Sequence, residues 1–380
     1  MSYDIIIAGA GLGGLSFAHF LIENDLRDQN VLILDASSKE TNDRTWSFWS
    51  QTQPSYKCAH HKVWNQLGFA TDAFVKFESI DPYKYYTIRG LDLYNEVLSK
   101  IRKSSFITFK EEKVTSIMDL ESHVEVKTEN AVYTAKHVIE SISRPNIDES
   151  TYNVSWQKFL GWTIKTEGNY FEVDKPILMD FRVPQTDSSN FVYLLPYKTN
   201  EALVEYTQFA RSRSIDHASC EKELEEYISK VLEIPEFEII EEETGAIPMT
   251  NFPFDPNPTD RIFRIGTIGG DTKPTTGYTF QNVQKRCSLI YSNITGRNLK
   301  SKDNHRFEFY DNLLLGIMEN HPEKVKPIMS KLFESQTFPQ ILKFLDEESS
   351  ILEELNIFSQ LPWAPFLGQL FVQKSHAFHR

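Results

Sequence analysis

Four stretches of the chain hold residues whose type and spacing could do chemistry. The first is Gly9-Ala10-Gly11-Leu12-Gly13-Gly14, a G-x-G-x-x-G run with Asp35 about twenty residues on. In such a run the first glycine permits a tight turn, the second lets the backbone approach a pyrophosphate, and the last lets a helix pack close on a sheet. The amides at the helix start favour phosphate. Gly9, Ala10, Gly11, Gly13 and Gly14 are therefore candidate contacts for the phosphates of a dinucleotide. Asp35 is a candidate acceptor for adenosine ribose hydroxyls. The motif by itself chooses neither NAD nor FAD.

The second stretch is Asp43-Arg44-Thr45-Trp46-Ser47-Phe48-Trp49. Arg44 could reach a pyrophosphate from the side opposite the helix; the plainer reading is a surface arginine beside core tryptophans. The third is Leu203-Val204-Glu205-Tyr206-Thr207, an apolar strand pattern interrupted by one carboxylate. Alternation puts Glu205 on the face of Leu203 and Thr207. On a dry face its charged form would be disfavoured, suiting it to general-acid work; on a solvent face it would be an ordinary glutamate. The fourth is Gly266-Thr267-Ile268-Gly269-Gly270-Asp271-Thr272-Lys273-Pro274-Thr275-Thr276-Gly277-Tyr278. Its glycine density suggests a second cofactor-contacting loop before a helix, with Gly266, Pro274, Thr276, Gly277 and Tyr278 as candidates. No metal-ligand spacing stands out.

These stretches need elements to hold them. Residues 3–35 read as strand, helix, strand. A helix is expected at 91–102, and the run His137-Val138-Ile139-Glu140 reads as a strand returning to the first sheet. Residues 155–210 are strand-rich with Pro, Asn and Asp turn signals. A helix is expected at 220–232. From about residue 280 the pattern turns helical, with Pro322, Pro327, Pro339 and Pro362 expected to break it into short pieces. This layout predicts a mixed α/β fold. A split Rossmann-type FAD/NAD(P)-binding domain would comprise residues 1–60, 88–150 and 240–297. An inserted antiparallel β-sheet substrate domain would comprise 61–87 and 151–239, and a C-terminal helical region 298–380.

Bulk composition narrows the partners. The 380 residues carry a net charge of -13, which disfavours nucleic acid and docking on anionic lipid by charge alone. The acidic runs 221–226 and 236–243 read as solvated faces. Three scattered cysteines, Cys58, Cys220 and Cys287, argue against a disulfide framework. A strand pattern opening at residue 3 leaves no signal peptide to expect, and no run reaches the roughly 18 apolar residues of a membrane span. A reducing, cytoplasmic setting is expected. The 27 Phe, 16 Tyr and 6 Trp suit either a large core or a π-rich ligand site.

In order along the chain, these segments resemble the lycopene cyclase family, in particular its bacterial soluble type that makes β rings. The likeness runs from the glycine motif through Asp43–Trp49, Phe159-Leu160-Gly161-Trp162, Met179-Asp180-Phe181-Arg182 and Tyr193-Leu194-Leu195-Pro196. It continues through Val204-Glu205-Tyr206-Thr207, Gly245-Ala246-Ile247-Pro248 and Pro274-Thr275-Thr276-Gly277-Tyr278. The resemblance implies a fold like that of flavin monooxygenases, with FAD used in its reduced state and NAD(P)H as the reductant. It implies redox-neutral cyclisation of the acyclic ends of lycopene to β rings, through γ-carotene to β-carotene. The family's essential glutamate carries over to Glu205, and the acid that follows it is Tyr206 here. The Gly-Asp pair of related flavoenzymes reads as Gly266-Thr267. A hydrocarbon substrate implies peripheral attachment to the inner face of the cell membrane, for which residues 361–367 are the candidate contact, being apolar and irregular. A flavin-dependent monooxygenase or isoprenoid reductase is the alternative. Oligomeric state is invisible in the sequence.

Overall fold

The computed structural model describes residues 2–56, 60–297, 299 and 305–377. Cys58 lies outside them; Cys220 and Cys287 are buried free thiols. The chain opens with β1 (Ser2–Ala8), α1 (Leu12–Glu23), β2 (Val31–Asp35) and β3 (Thr45–Ser50). Next come β4 (His60–Trp64), β5 (Gln66–Ala70), β6 (Val75–Ser79), β7 (Lys84–Arg89) and α2 (Gly90–Lys103). Then follow β8 (Ile107–Glu111), β9 (Val114–Asp119), β10 (Val124–Thr128), β11 (Val132–Glu140) and β12 (Val154–Lys165). β13 (Ile177–Asp180), β14 (Ser189–Lys198), β15 (Glu201–Ala210), α3 (His217–Lys230), β16 (Glu238–Thr250) and β17 (Ile262–Arg264) complete the sheets. Six further helices are α4 (Phe280–Ile294), α5 (His305–Asn320), α6 (Val325–Ser335), α7 (Phe338–Leu345), α8 (Ile351–Gln360) and α9 (Trp363–Ala377).

The first sheet has the order β8-β2-β1-β11-β10-β9, with β17 also on β11. β8, β2, β1, β11 and β17 pair in parallel. These strands are continuous apolar runs because both faces are covered. Ile5, Ile7, Val31 and Ile33 pack on one face with Phe17, Leu93 and Val283 from α1, α2 and α4. Ile6, Leu32 and Leu34 pack on the other with Val126 and Tyr133. The expected strand at 137–140 is the end of β11, hydrogen-bonded to β1.

The second sheet, β16-β12-β15-β14-β13-β5-β6, positions the chemistry. Its strands alternate. Leu160, Trp162, Val192, Val204 and Tyr206 face α3 and pack on Leu224 and Ile228. The intervening residues Phe159, Leu203, Glu205 and Thr207 face a large internal cavity. A small sheet, β3-β7-β4, closes one side.

Helices α5 to α9 roof that cavity, where Phe307, Ile328, Leu332 and Phe344 line it. The region is divided into short helices as expected, and the prolines mark where helices begin. Pro327 and Pro339 sit in the first turns of α6 and α7, where a missing N–H removes no helical bond, so they start helices rather than break them. Capping boxes at Thr337 and Gln340, and at Ser350 and Glu353, fix the starts of α7 and α8. Residues 361–367 are not irregular throughout, because α9 begins at Trp363.

Candidate active site

At one end of the cavity the β1–α1 turn is shaped by its glycines. Gly9 has φ +103, a conformation that disfavours any residue with a Cβ. A Cβ on Gly14 would lie 1.8 Å from the Gly9 carbonyl oxygen, so the helix can approach the strand only without one. No side chain caps α1 at Gly11. Its first amides remain for a ligand, at the positive end of the helix dipole. A Cβ on Gly11 would meet nothing within 4 Å, since that position opens on the cavity. The start of α4, at Thr279 and Phe280, also lacks a side-chain cap and borders the same space. Two helix N-termini thus converge on one site.

Gly9, Gly11, Gly13, Asp35 and Arg44 line the cavity. So do Gly266, Thr276, Gly277, Tyr278 and Glu205. Ala10, Gly14 and Pro274 do not. The Ala10 amide donates to Asp35 Oδ2 at 2.6 Å, tying the turn to the end of β2. Asp35 also accepts from Ser37 N (2.9 Å) and pairs with Lys39 (3.0 Å), so a ribose hydroxyl would share a carboxylate already in use. Pro274 is bypassed because the residues around it are tied to the roof. Lys273 reaches Asp311 and Glu347, both at 2.9 Å, and Thr275 donates to Asp311 at 2.7 Å.

Asp271 Oδ2 accepts from the Gly266 amide at 2.6 Å and holds the fourth loop closed. Burial pushes its carboxyl up to about 7 against the opposing pull of Arg286. Beside Gly277, whose φ is +72, the buried Gln157 Oε1 has no partner among the described residues. Uncapped helix starts, a glycine facing open space and an unpaired acceptor together fit the phosphates and polar edges of a dinucleotide.

The cavity runs on from this end to the second sheet, with a volume of ≈ 1300 Å³. That exceeds the roughly 300–1,000 Å³ of a pocket for one drug-sized ligand, leaving room for two occupants end to end. Tyr85, Tyr193 and Tyr278 gather their hydroxyls there; Tyr85 bonds Tyr193 and lies 3.4 Å from Tyr278. The rings of Phe191 and Phe209 pack nearby, tilted by 60° with centroids 5.2 Å apart.

Among these rings stands Glu205, opposite Tyr193 on β14 and Gly161 on β12. Thr207 Oγ1 donates to its carboxyl at 3.0 Å. Its remaining exposure is to the cavity. Burial first, and then the charge of Glu243, push its pKa well above the ordinary carboxylate range.

Glu243 is a candidate site residue that the sequence did not single out. Its run was expected to be a solvated face; Glu236, Glu238 and Glu242 are exposed, and the structure corrects the expectation at Glu243. Glu243 lies opposite Gly161 on the far side of β12 and faces the cavity. Gly245 and Ile247 share its face of β16, and residues 243–248 all border the cavity along this sheet edge, while Glu242 accepts from the Trp162 indole at 3.0 Å. Burial raises the pKa of Glu243 as well, opposed by hydrogen bonds to Thr45 and Glu205. Tyr206, next to Glu205 in the chain, packs under α3 and plays no part in this pair. Among the described residues no cluster is arranged to hold a metal ion.

Fold and site together define a Rossmann-type flavoprotein architecture. The chain superposes on a geranylgeranyl bacteriochlorophyll reductase-like protein from Thermoplasma acidophilum with TM-score 0.61 at 11% identity, over 96% of this chain and 97% of that one. A flavoprotein/dehydrogenase from Cytophaga hutchinsonii gives 0.62 at 11% identity, over 94% and 98%. Within that architecture the family described as "Lycopene cyclase protein" matches residues 4–368, and the chain belongs to it. It is 25% identical over 294 residues to the chloroplastic lycopene beta cyclase of Arabidopsis thaliana, covering 72% of this chain and 56% of the relative. It is 26% identical over 260 residues to the lycopene beta-cyclase of Pantoea ananas, covering 65% and 63%. The matches thus span about three fifths of these relatives' lengths.

Proposed function

We propose that this protein is a lycopene β-cyclase, an intramolecular isomerase that closes the acyclic ends of lycopene to β rings through γ-carotene to β-carotene. The observation that carries the reading is Glu205, a carboxyl group in an aromatic cavity continuous with the dinucleotide-type end, its pKa pushed well above the ordinary range by burial and by Glu243. FAD would be held by the amides at Gly11 and Gly13, by Asp35 and Arg44, and by the loop at Gly266, Thr276 and Gly277. Bound in its reduced form, with NAD(P)H as reductant, it would supply negative charge that stabilises a cation.

The protein's own residues handle the proton. The Glu205 O–H bond breaks as its proton adds to the terminal double bond of the polyene, leaving a tertiary cation. The electron pair of an internal double bond closes the six-membered ring and moves the cation onto it. A ring C–H bond then gives its pair to the new double bond, and the proton returns to carboxylate. One proton enters, one leaves, and no electrons are exchanged. The rings of Tyr193, Tyr278 and Phe191 face the cation, each worth about 0.5–2 kcal/mol. The roof of α5 to α9 excludes water that would trap it.

An insoluble hydrocarbon has to come from a membrane. Leu355 (58% exposed), Trp363 (64%) and Leu367 (49%) both line the cavity and face outward, marking an apolar mouth that would rest on the inner face of the cell membrane. Among the described residues no helix is long and apolar enough to cross one.

Expression in a lycopene-accumulating bacterium tests the reading. Conversion of red pigment to a yellow-orange product of unchanged mass with β-ring ends is expected. Unchanged pigment beside soluble, flavin-loaded protein would refute it, and a heavier product would mark a reductase or monooxygenase.

A further inference from the structure

Two carboxylates on different strands converge where the strand between them has no side chain. Glu205 on β15 and Glu243 on β16 are both register partners of Gly161 on β12; both glutamates line the cavity, and a Cβ on Gly161 would point between them. A Cβ on Gly161 would sit 3.2 Å from Glu243 Cγ and 3.3 Å from Glu205 Cβ. The space that a side chain would fill is where the two carboxyl groups meet. A glycine in mid-strand marks such a close approach.

We propose that Glu205 and Glu243 share one proton across Gly161, with Glu205 holding it toward the substrate and Glu243 acting as the ionised positioning residue that keeps it there. Two carboxyl groups in contact away from water cannot both ionise at ordinary pH. The surroundings decide which one does. Glu243 receives a hydrogen bond from Thr45 and the favourable charge of Arg44, against the opposing charge of Glu241. Glu205 has the Thr207 hydroxyl and faces the buried phenols Tyr193, Tyr197 and Tyr278, with no cation among the influences on it. Arg44, first read as a pyrophosphate contact, thereby also sets the charge of the pair. Use of the shared proton in ring closure rests on the cyclase reading above; the sharing itself does not.

Infrared titration of flavin-loaded, ¹³C-glutamate-labelled protein tests this. In wild type a protonated carboxyl band should persist well above the ordinary carboxylate range and be absent from Glu205→Gln. Glu243→Gln removes the like charge, so the Glu205 midpoint should fall by about one pH unit or more, and the alkaline limb of kcat should move with it. Glu243→Asp should restore most of the shift. Glu205→Leu removes the hydrogen bond that protonated Glu205 gives the neighbouring carboxylate, so the Glu243 midpoint should rise, a second reading if Glu243→Gln fails to fold. Midpoints that stay in place in these variants would overturn the proposal. If wild type forms no cyclised product while both shifts are present, the pair stands and the cyclase reading falls. Cyclised product with neither shift gives the reverse.

Discussion

On the α3 face of the second sheet, Asp180 is 0% exposed and fully answered: Arg182 grips it through Nη2 at 2.6 Å and Nε at 2.9 Å, and Tyr227 donates at 2.7 Å. On the cavity face two strands away, Glu205 has one hydroxyl and another carboxylate for company. The sheet is the same, yet one acid is paired with a cation, whereas burial and a second carboxylate disfavour the charged form of the other. The α3 face therefore buries charge to hold strands together. The cavity face leaves an acid poised, at a cost in stability that a structural site would not bear.

The difference can be broken most severely at Glu205. Glu205→Gln keeps the shape and removes the proton, so turnover of lycopene should fall by about 10²–10⁴-fold, while the visible spectrum shows flavin retained. Asp180→Ala takes the shared acceptor from Tyr227 and from Arg182, whose side chain is 29% exposed. Denaturant unfolding should show a loss of about 1–3 kcal/mol, with turnover of the folded fraction little changed.

The same Glu205→Gln variant should gain stability. Raised pKa values mean that the unfolded chain releases these protons first. Wild-type stability should therefore fall as pH rises from the ordinary carboxylate range toward the raised values. The variant should lose much of that slope and be about 1–2 kcal/mol more stable at alkaline pH, as unfolding at two pH values would show. Tyr206→Phe, beneath α3, should have the smallest effect: about 1 kcal/mol or less of stability and unaltered turnover.

Much of this contrast was legible in the chain. The β1–α1–β2 unit was readable because its strands, glycines and Asp35 are contiguous and each answers a local constraint. Alternation placed Glu205 with Leu203 and Thr207, and β15 bears that out. Whether that face was wet or dry was not legible, since the answer lies in α5 to α9, far along the chain. Glu243 was hidden for a related reason. It ends an acidic run that reads as solvated, and only the register of β16 on β12 turns it inward. The signals available were the glycine in the middle of Phe159-Leu160-Gly161-Trp162 and the alternation of Glu243 with Gly245 and Ile247.

Gly161 contributes no functional group, and no inventory of acids, bases and nucleophiles would include it. Yet the room it leaves is what allows two distant parts of the chain to act as one titrating unit. The tolerance of the site is therefore set by volume as much as by chemistry, and a single added methyl group at this position would press on both glutamates at once, at 3.2 and 3.3 Å.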